Sequence, residues 1–269
     1  MTVESLSIVI PAFNEEQRLT RTLELAAAYL HRRQLPSEVI VVDDGSTDRT
    51  AEVARMFERK GVRLIRTRRN RGKGHAVRRG VLAARMAHIL FTDADLPVPL
   101  ETLDAWRAQP AAEILIASRR LRGARALTPP KWPRRVAGAI FSGLVRALVL
   151  PGIRDSQCGF KLFSRPVGRA VFRRLMVSRF CFDVEVLLNA RCLGYRVHEM
   201  PVTWSNGPNS SVHLMRDSIR MFVDLARIRW NRPAVRAGAS TALSAGSADG
   251  SRYPSPVGSD RPFSPHLSA

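Results

Sequence analysis

The chain has 269 residues, 45% of them hydrophobic, and a formal net charge of +20 in which lysine appears only at positions 60, 73, 131 and 161. That length allows one substantial core with a subdomain attached. Cys158, Cys181 and Cys192 form no CxxC pair, which argues against a disulfide framework or a zinc site. The opening MTVESLSIVIPAFNEE lacks a basic n-region, so no signal peptide is expected. The best apolar run, 136–150, is too short to span a bilayer and carries Arg146. A field this positive favours a polyanionic partner, whether nucleic acid, an anionic membrane or phosphorylated substrates, against the plainer alternative of a solvated arginine-rich surface.

In chain order, LSIVIP (6–11) reads as a buried strand, and the helical spacing of Leu19, Leu23, Ala26, Ala27 and Leu30 predicts a helix after it. EVIVV (38–42) is a second strand, TDRTAEVARMFERKG a helix stopping at Gly61, and VRLIRT (62–67) a third strand. GKGHAVRRGVLAAR predicts a helix, HILFT (88–92) a fourth strand, residues 100–107 a helix and EILIAS (113–118) a fifth strand. This alternation predicts βαβ units and a mostly parallel sheet with helices on both faces. A proline- and arginine-rich stretch (119–135) leads to the 136–150 segment and DSQCGFKLFSR (155–165). A helix is expected from Phe182, a strand in YRVHEMPVTW and an amphipathic helix over 212–230. Residues 231–269, rich in Ser, Ala, Gly and Pro, read as a disordered tail. The expected organisation is 1–118 as a nucleotide-binding half and 119–230 as an acceptor half.

Strands of a parallel sheet end at one edge, where α/β proteins bind ligands. Strand one ends in Pro11-Ala12-Phe13-Asn14-Glu15, strand two in Asp43-Asp44-Gly45-Ser46 and strand four in Asp93-Ala94-Asp95. Singly, such clusters are ordinary turns and helix caps. Together they bring three acidic groups to one edge of a basic protein, where they repel unless cations sit among them. A hard divalent ion uses one or two carboxylates plus substrate phosphates, which gives Asp93 and Asp95 a metal and a diphosphate to hold. No GxGxxG follows strand one, and NRGKGHA (70–76) lacks P-loop spacing.

SIVIPAFNEE, VIVVDDGSTDRT, NRGKGHAVRRG, FTDADLPVP, ASRR, DSQCGFKLF, FDVEVL and VHEMPVTW resemble the family-2, GT-A-fold inverting glycosyltransferases from about Leu6 to Trp230. Within them the chain is similar to the polyprenyl- and dolichyl-phosphate glucosyltransferases and mannose-phosphate synthases. DSQCGFKLF with FDVE leans to the glucosyl branch. The resemblance implies a Rossmann-like sheet with a smaller acceptor-side part. It implies Pro11, Ala12, Asn14, Glu15, Asp43 and Asp44 at base and ribose, and Lys73 and Ala94 near the nucleotide. Asp93 and Asp95 would be the DxD pair on Mg²⁺ or Mn²⁺. Arg119, with Arg134 or Arg135, would meet donor or acceptor phosphates. Asp155, Gln157, Lys161, Asp183 and Glu185 would line the sugar or acceptor side, with packing an equal alternative for Gln157 and Cys158. Two positions depart from relatives: Pro97 stands where a polar side chain can occur, and Ser211 where a lysine is expected, with His213 or Arg216 as substitutes.

The implied reaction displaces a nucleoside diphosphate from the sugar's anomeric carbon by a lipid phosphate oxygen, with inversion. UDP-glucose is the expected donor and GDP-mannose the alternative; a polyprenyl phosphate is the acceptor. A phosphate monoester, with a second pKa near ~6, needs no general base. Asp183 or Glu185 become bases only for an alcohol acceptor. The basic surface implies a cytoplasmic protein, peripheral on the inner face of an anionic membrane, with the 136–150 segment either lying in the interface or forming an ordinary core helix. A nucleic-acid-binding module is the reading from another class; the acidic edge and the lack of a binding motif speak against it, so no nucleic-acid partner is expected.

Overall fold

The computed structural model describes residues 3–106, 112–128, 132–179, 181–205 and 223–230, with the side chain of 134 outside that set. A seven-stranded sheet organises them. Its strands are β1 (Leu6–Ala12), β2 (Ser37–Asp43), β3 (Val62–Arg66), β4 (His88–Thr92), β5 (Ile114–Ser118), β7 (Phe160–Ser164) and β8 (Val197–Pro201). The order is β3-β2-β1-β4-β7-β5-β8, and β6 (Arg125–Thr128) pairs with β9 (Thr203–Ser205) in a separate ribbon. The helices are α1 (Glu16–Arg33), α2 (Thr50–Met56), α3 (Lys73–Ala83), α4 (Thr102–Trp106), α5 (Trp132–Leu148), α6 (Arg165–Arg173) and α7 (Phe182–Cys192). A final helical stretch covers 223–230.

Two cores cover the two sheet faces, and strand alternation divides the residues between them. Leu6, Ile8 and Ile10 of β1 point to the core that holds Leu19 and Leu23 of α1 and Trp106 of α4. Val9 of the same strand points to the opposite core, with Val77 of α3, Val145 of α5 and Leu187 of α7. Gly80 lets α3 lie directly on β1, because a Cβ there would meet Val9 Cγ1 at 2.3 Å.

The alternating strands and helices to residue 118 form as the periodicity predicts, with most boundaries shifted by a residue or two; the helix expected to run to Gly61 instead ends at Met56, and a separate 3₁₀ turn, Glu58–Lys60, carries the chain to that glycine. β7 is the departure. It enters antiparallel between β4 and β5, with Phe91 and Ile116 both facing Lys161. A lysine inside FKLFS hides the strand pattern, yet this side chain is 1% exposed. α6 was likewise unexpected, since its arginines obscure the buried Val167, Val171 and Phe172. The proline-rich stretch contributes exposed β6, and the 136–150 segment is the greater part of α5. Of the expected 212–230 helix, 223–230 is helical, while 206–222 and the tail from 231 lie outside the described residues. Among the described residues no helix is long and apolar enough to cross a membrane.

Candidate active site

The strand order reverses between β1 and β4, which is where a doubly wound sheet opens a crevice at its carboxyl edge. The β1–α1 and β2–α2 loops are laced together beside it. Asn14, at φ 56, accepts from Thr47 N at 2.9 Å and donates its own N–H to Ser46 Oγ at 3.0 Å. Glu15 N donates to Thr50 Oγ1 at 2.8 Å. Pro11 and Ala12 are buried in the strand end.

The two carboxylates of strand two serve these loops rather than standing free. Asp43, fully buried, accepts from Ser46 N at 2.8 Å and pairs with Arg66 Nε at 3.0 Å. Asp44 accepts from Arg71 N and from Gly72 N, the latter at 2.6 Å, and so ties the β3–α3 loop to the end of β2. Both carboxylates, expected at base and ribose, hold the loops that line this edge.

Asp93 follows β4 directly. The Thr92↔Phe160 pairing places Gly159 opposite it, and a Cβ at 159 would lie 2.1 Å from Asp93 Oδ2. The missing side chain is what makes room for the carboxylate. Lys73, the first residue of α3, reaches Asp93 Oδ1 at 2.6 Å. Burial works against the Lys73 charge, but Asp93 and Asp183 more than offset it and raise its pKa. Both lysines approach one ring: Lys73 Nζ lies 5.5 Å and Lys161 Nζ 5.7 Å from the Phe91 centroid. Lys161 donates to Cys158 O at 2.6 Å and to the Asp183 carboxylate. Burial pushes the Asp183 carboxyl up, against the pull of Lys161 and Lys73.

Asp95 is exposed at the rim, beyond Ala94, whose carbonyl accepts from Thr22 Oγ1 at 2.6 Å. The surrounding protein first, then the Asp93 charge, raise its pKa. Glu15, held by Arg18 Nε at 2.7 Å, is raised by burial and feels both Asp95 and Asp93. The three carboxylates thus feel one another's charge. Leu96, at φ 43, turns the chain away immediately after them, a conformation costly for a branched side chain.

On the other side of β7, Arg119 grips fully buried Asp155. Its Nε and Nη2 donate at 2.7 and 2.9 Å, and its guanidinium lies 5.6 Å from the Trp204 centroid. Burial alone would raise Asp155; Arg119 outweighs it and holds the carboxyl below its ordinary range. Glu185 accepts from Met176 N and Val177 N at 2.9 and 2.7 Å, so it builds a loop. Arg135 stands exposed on α5. Ser211, His213 and Arg216 lie outside the described residues. Thr92 Oγ1, Ser118 Oγ and Gln157 Nε2 are buried at this edge without a partner among the described residues, as polar groups beside a ligand site can be.

Gly159, Arg18, Trp204 and Glu199 were not singled out from the sequence. Gly159 had a signal in its place inside DSQCGFKLF, and Glu199 and Trp204 in theirs inside VHEMPVTW. A cavity of about 820 Å³ lies against α7 and the 223–230 helix, lined by Arg174, Met176, Glu185 and Asn189 among others, and none of Asp93, Asp95 or Arg119 borders it.

The donor set suits a hard divalent cation. Among the described residues no three His, Cys, Asp or Glu side chains converge on a metal-sized point, so an ion at Asp93 and Asp95 would complete its shell with phosphate oxygens and water.

Residues 7–107 match the family described as Glycosyl transferase family 2. A mouse dolichyl-phosphate beta-glucosyltransferase is 38% identical over 245 residues, 84% of this chain and 75% of the mouse protein. The Drosophila melanogaster protein of that name is 38% identical over 86% of this chain and 76% of its own. The crystal structure of Mycobacterium tuberculosis glucosyl-3-phosphoglycerate synthase with Mn²⁺ and UDP-glucose superposes with a TM-score of 0.60 at 18% identity, over 86% of this chain and 80% of that one.

Proposed function

Because the chain belongs to glycosyl transferase family 2, with dolichyl-phosphate beta-glucosyltransferases as its relatives, we propose that it transfers glucose from UDP-glucose to a polyprenyl phosphate with inversion at the anomeric carbon. The observation that carries this reading is the Asp93 carboxylate seated against Gly159, paired with Lys73 and followed by exposed Asp95 at the sheet's switch point. The relatives' names supply the lipid phosphate, and the Mn²⁺ and UDP-glucose of the mycobacterial structure support the donor and metal classes.

A divalent ion, Mg²⁺ or Mn²⁺, bound at Asp93 and Asp95 would supply positive charge to the departing diphosphate. The chain's own residues do the rest. Lys73 orients Asp93 and adds a fixed cation beside the leaving group. Arg119, locked by Asp155, presents its remaining N–H groups to a phosphate without first losing side-chain freedom. The stacked loops at Asn14, Ser46 and Thr47 form the floor for the nucleoside. Asp183 is committed to Lys161, and no free base is required, because the attacking phosphate oxygen is already anionic at neutral pH.

The exposed face of α5 supports membrane association. Trp132, Val136 and Ile140 are exposed along it, and Phe141 and Val145 anchor its opposite side to the core. Between Glu113 and Asp155 the chain holds nine basic residues and no acidic one. An apolar stripe in a basic field suits an anionic leaflet, at on the order of 1 kcal/mol per favourably placed cation. This gives a peripheral protein that meets its lipid acceptor at the surface.

The test is incubation of purified protein with UDP-glucose, Mg²⁺ or Mn²⁺ and a short polyprenyl phosphate, with the glycolipid identified by mass spectrometry and its anomer by NMR. A metal-dependent β-glucosyl phospholipid is expected. Product formed from GDP-mannose alone, or undiminished turnover in excess chelator, overturns the proposal.

A further inference from the structure

We propose that Glu199 is a positioning residue for Arg119, acting through Asp155. This rests on the reading above that Arg119 meets a substrate phosphate. The β5–β8 pairing sets Glu199 beside Ile116, two rungs before the end of β5, with Arg119 just past that end. From there its two carboxylate oxygens accept from consecutive backbone donors, Arg154 N at 2.7 Å and Asp155 N at 2.8 Å. Two charge-assisted bonds to adjacent amides fix the direction of that turn as well as its position.

The turn in turn fixes Asp155. Its Oδ2 accepts from Arg119 N at 2.9 Å and Nε at 2.7 Å, while Oδ1 accepts from Arg119 Nη2 at 2.9 Å and Gln157 N at 3.2 Å. The edge of the guanidinium formed by Nε and Nη2 is thereby spent on Asp155. Its plane is set independently by Trp204, and the neighbouring Ser205 N donates to Pro97 O at 2.9 Å, two residues after Asp95. Edge and face together leave the guanidinium little freedom. The relay runs from Glu199 through one buried turn to a single cation, and β8 therefore contributes to the site without touching substrate.

The experiment measures steady-state constants of the full chain with UDP-glucose, Mn²⁺ and a short polyprenyl phosphate. Glu199→Gln puts an amide N–H where one of the two backbone donors needs an acceptor. It should raise the same KM that Arg119→Lys raises, by on the order of ten- to a hundredfold, with a smaller effect on kcat. The double variant should be no worse than Arg119→Lys alone, and Glu199→Asp should recover part of the loss. Independent, multiplying effects of the two substitutions overturn the relay, as do wild-type constants for Glu199→Gln beside an impaired Arg119→Lys. A harmless Arg119→Lys removes the role of Arg119 and the proposal with it. Should Glu199→Gln fail to fold, Asp155→Asn reports on the same relay, with the same KM expected to rise and an unchanged KM refuting it.

Discussion

Gly159→Ala is the sharpest probe of the carboxylate rim. An added methyl would lie 2.1 Å from Asp93 Oδ2, 2.5 Å from Cγ and 2.7 Å from Oδ1, all well inside contact distance. The obstructing atoms belong to the end of a side chain that keeps 24% of its surface open to solvent, so the carboxylate can swing aside without moving β4. The stability cost should therefore stay at or below about 1 kcal/mol, under the range of about 1–3 kcal/mol typical of overpacked cores. The displacement, however, exceeds 1 Å and breaks the 2.6 Å contact with Lys73. Misplacement on that scale in a preorganised site lowers turnover on the order of a hundredfold. Thermal melting and the rate of glucosyl-lipid formation, together with Mn²⁺ titration, read the two effects separately. A variant with wild-type kcat/KM and wild-type Mn²⁺ affinity would refute the claim that Gly159 makes room for Asp93.

Asp95→Ala should abolish turnover while leaving the melting temperature nearly unchanged, since the side chain is exposed; substantial residual rate in a purified assay contradicts its role. Lys161→Met leaves Asp183 buried without its cation and should cost about 3–5 kcal/mol in denaturant unfolding, with Asp183→Leu added to it restoring most of that loss. Burial pushes the Cys158 thiol up to about 12 and raises Cys181 as well, so at pH 8 both stay protonated and shielded. A thiol reagent should then titrate Cys192 first and the other two only after unfolding. His88 is buried, and burial depresses its pKa, so the unfolded chain takes up a proton that the folded one resists as pH falls below about 6.5. Stability should therefore be fully present above that pH and decline below it, and His88→Gln should flatten the fall in melting temperature between pH 7 and 5.

The part of the site that was legible consists of residues immediately after strands. Asp93 and Asp95 sit where the apolar run HILFT ends, and parallel strands must deliver their ends to one edge, so the convergence of Glu15, Asp93 and Asp95 followed from periodicity alone. Asp43 and Asp44 share that edge, but their oxygens are taken by Arg66 and by the 71–72 backbone. Strand position says where a side chain starts and not which neighbour claims it. Arg119 was marked by the resemblance of ASRR, but the Asp155 and Trp204 that lock it come from distant parts of the chain.

Local hydrophobic spacing by itself determined the first five strands, their helices and the acidic edge, because each depends on residues a few positions apart. What only the tertiary structure decided depends on partners far apart in the chain. Antiparallel insertion of β7 brings Gly159 against Asp93 and buries Lys161 beside Asp183. The β5–β8 pairing brings Glu199 to the turn that holds Asp155. A charged residue inside a sheet is favourable only when its counter-ion arrives from another element, and no local pattern of residues records that arrival.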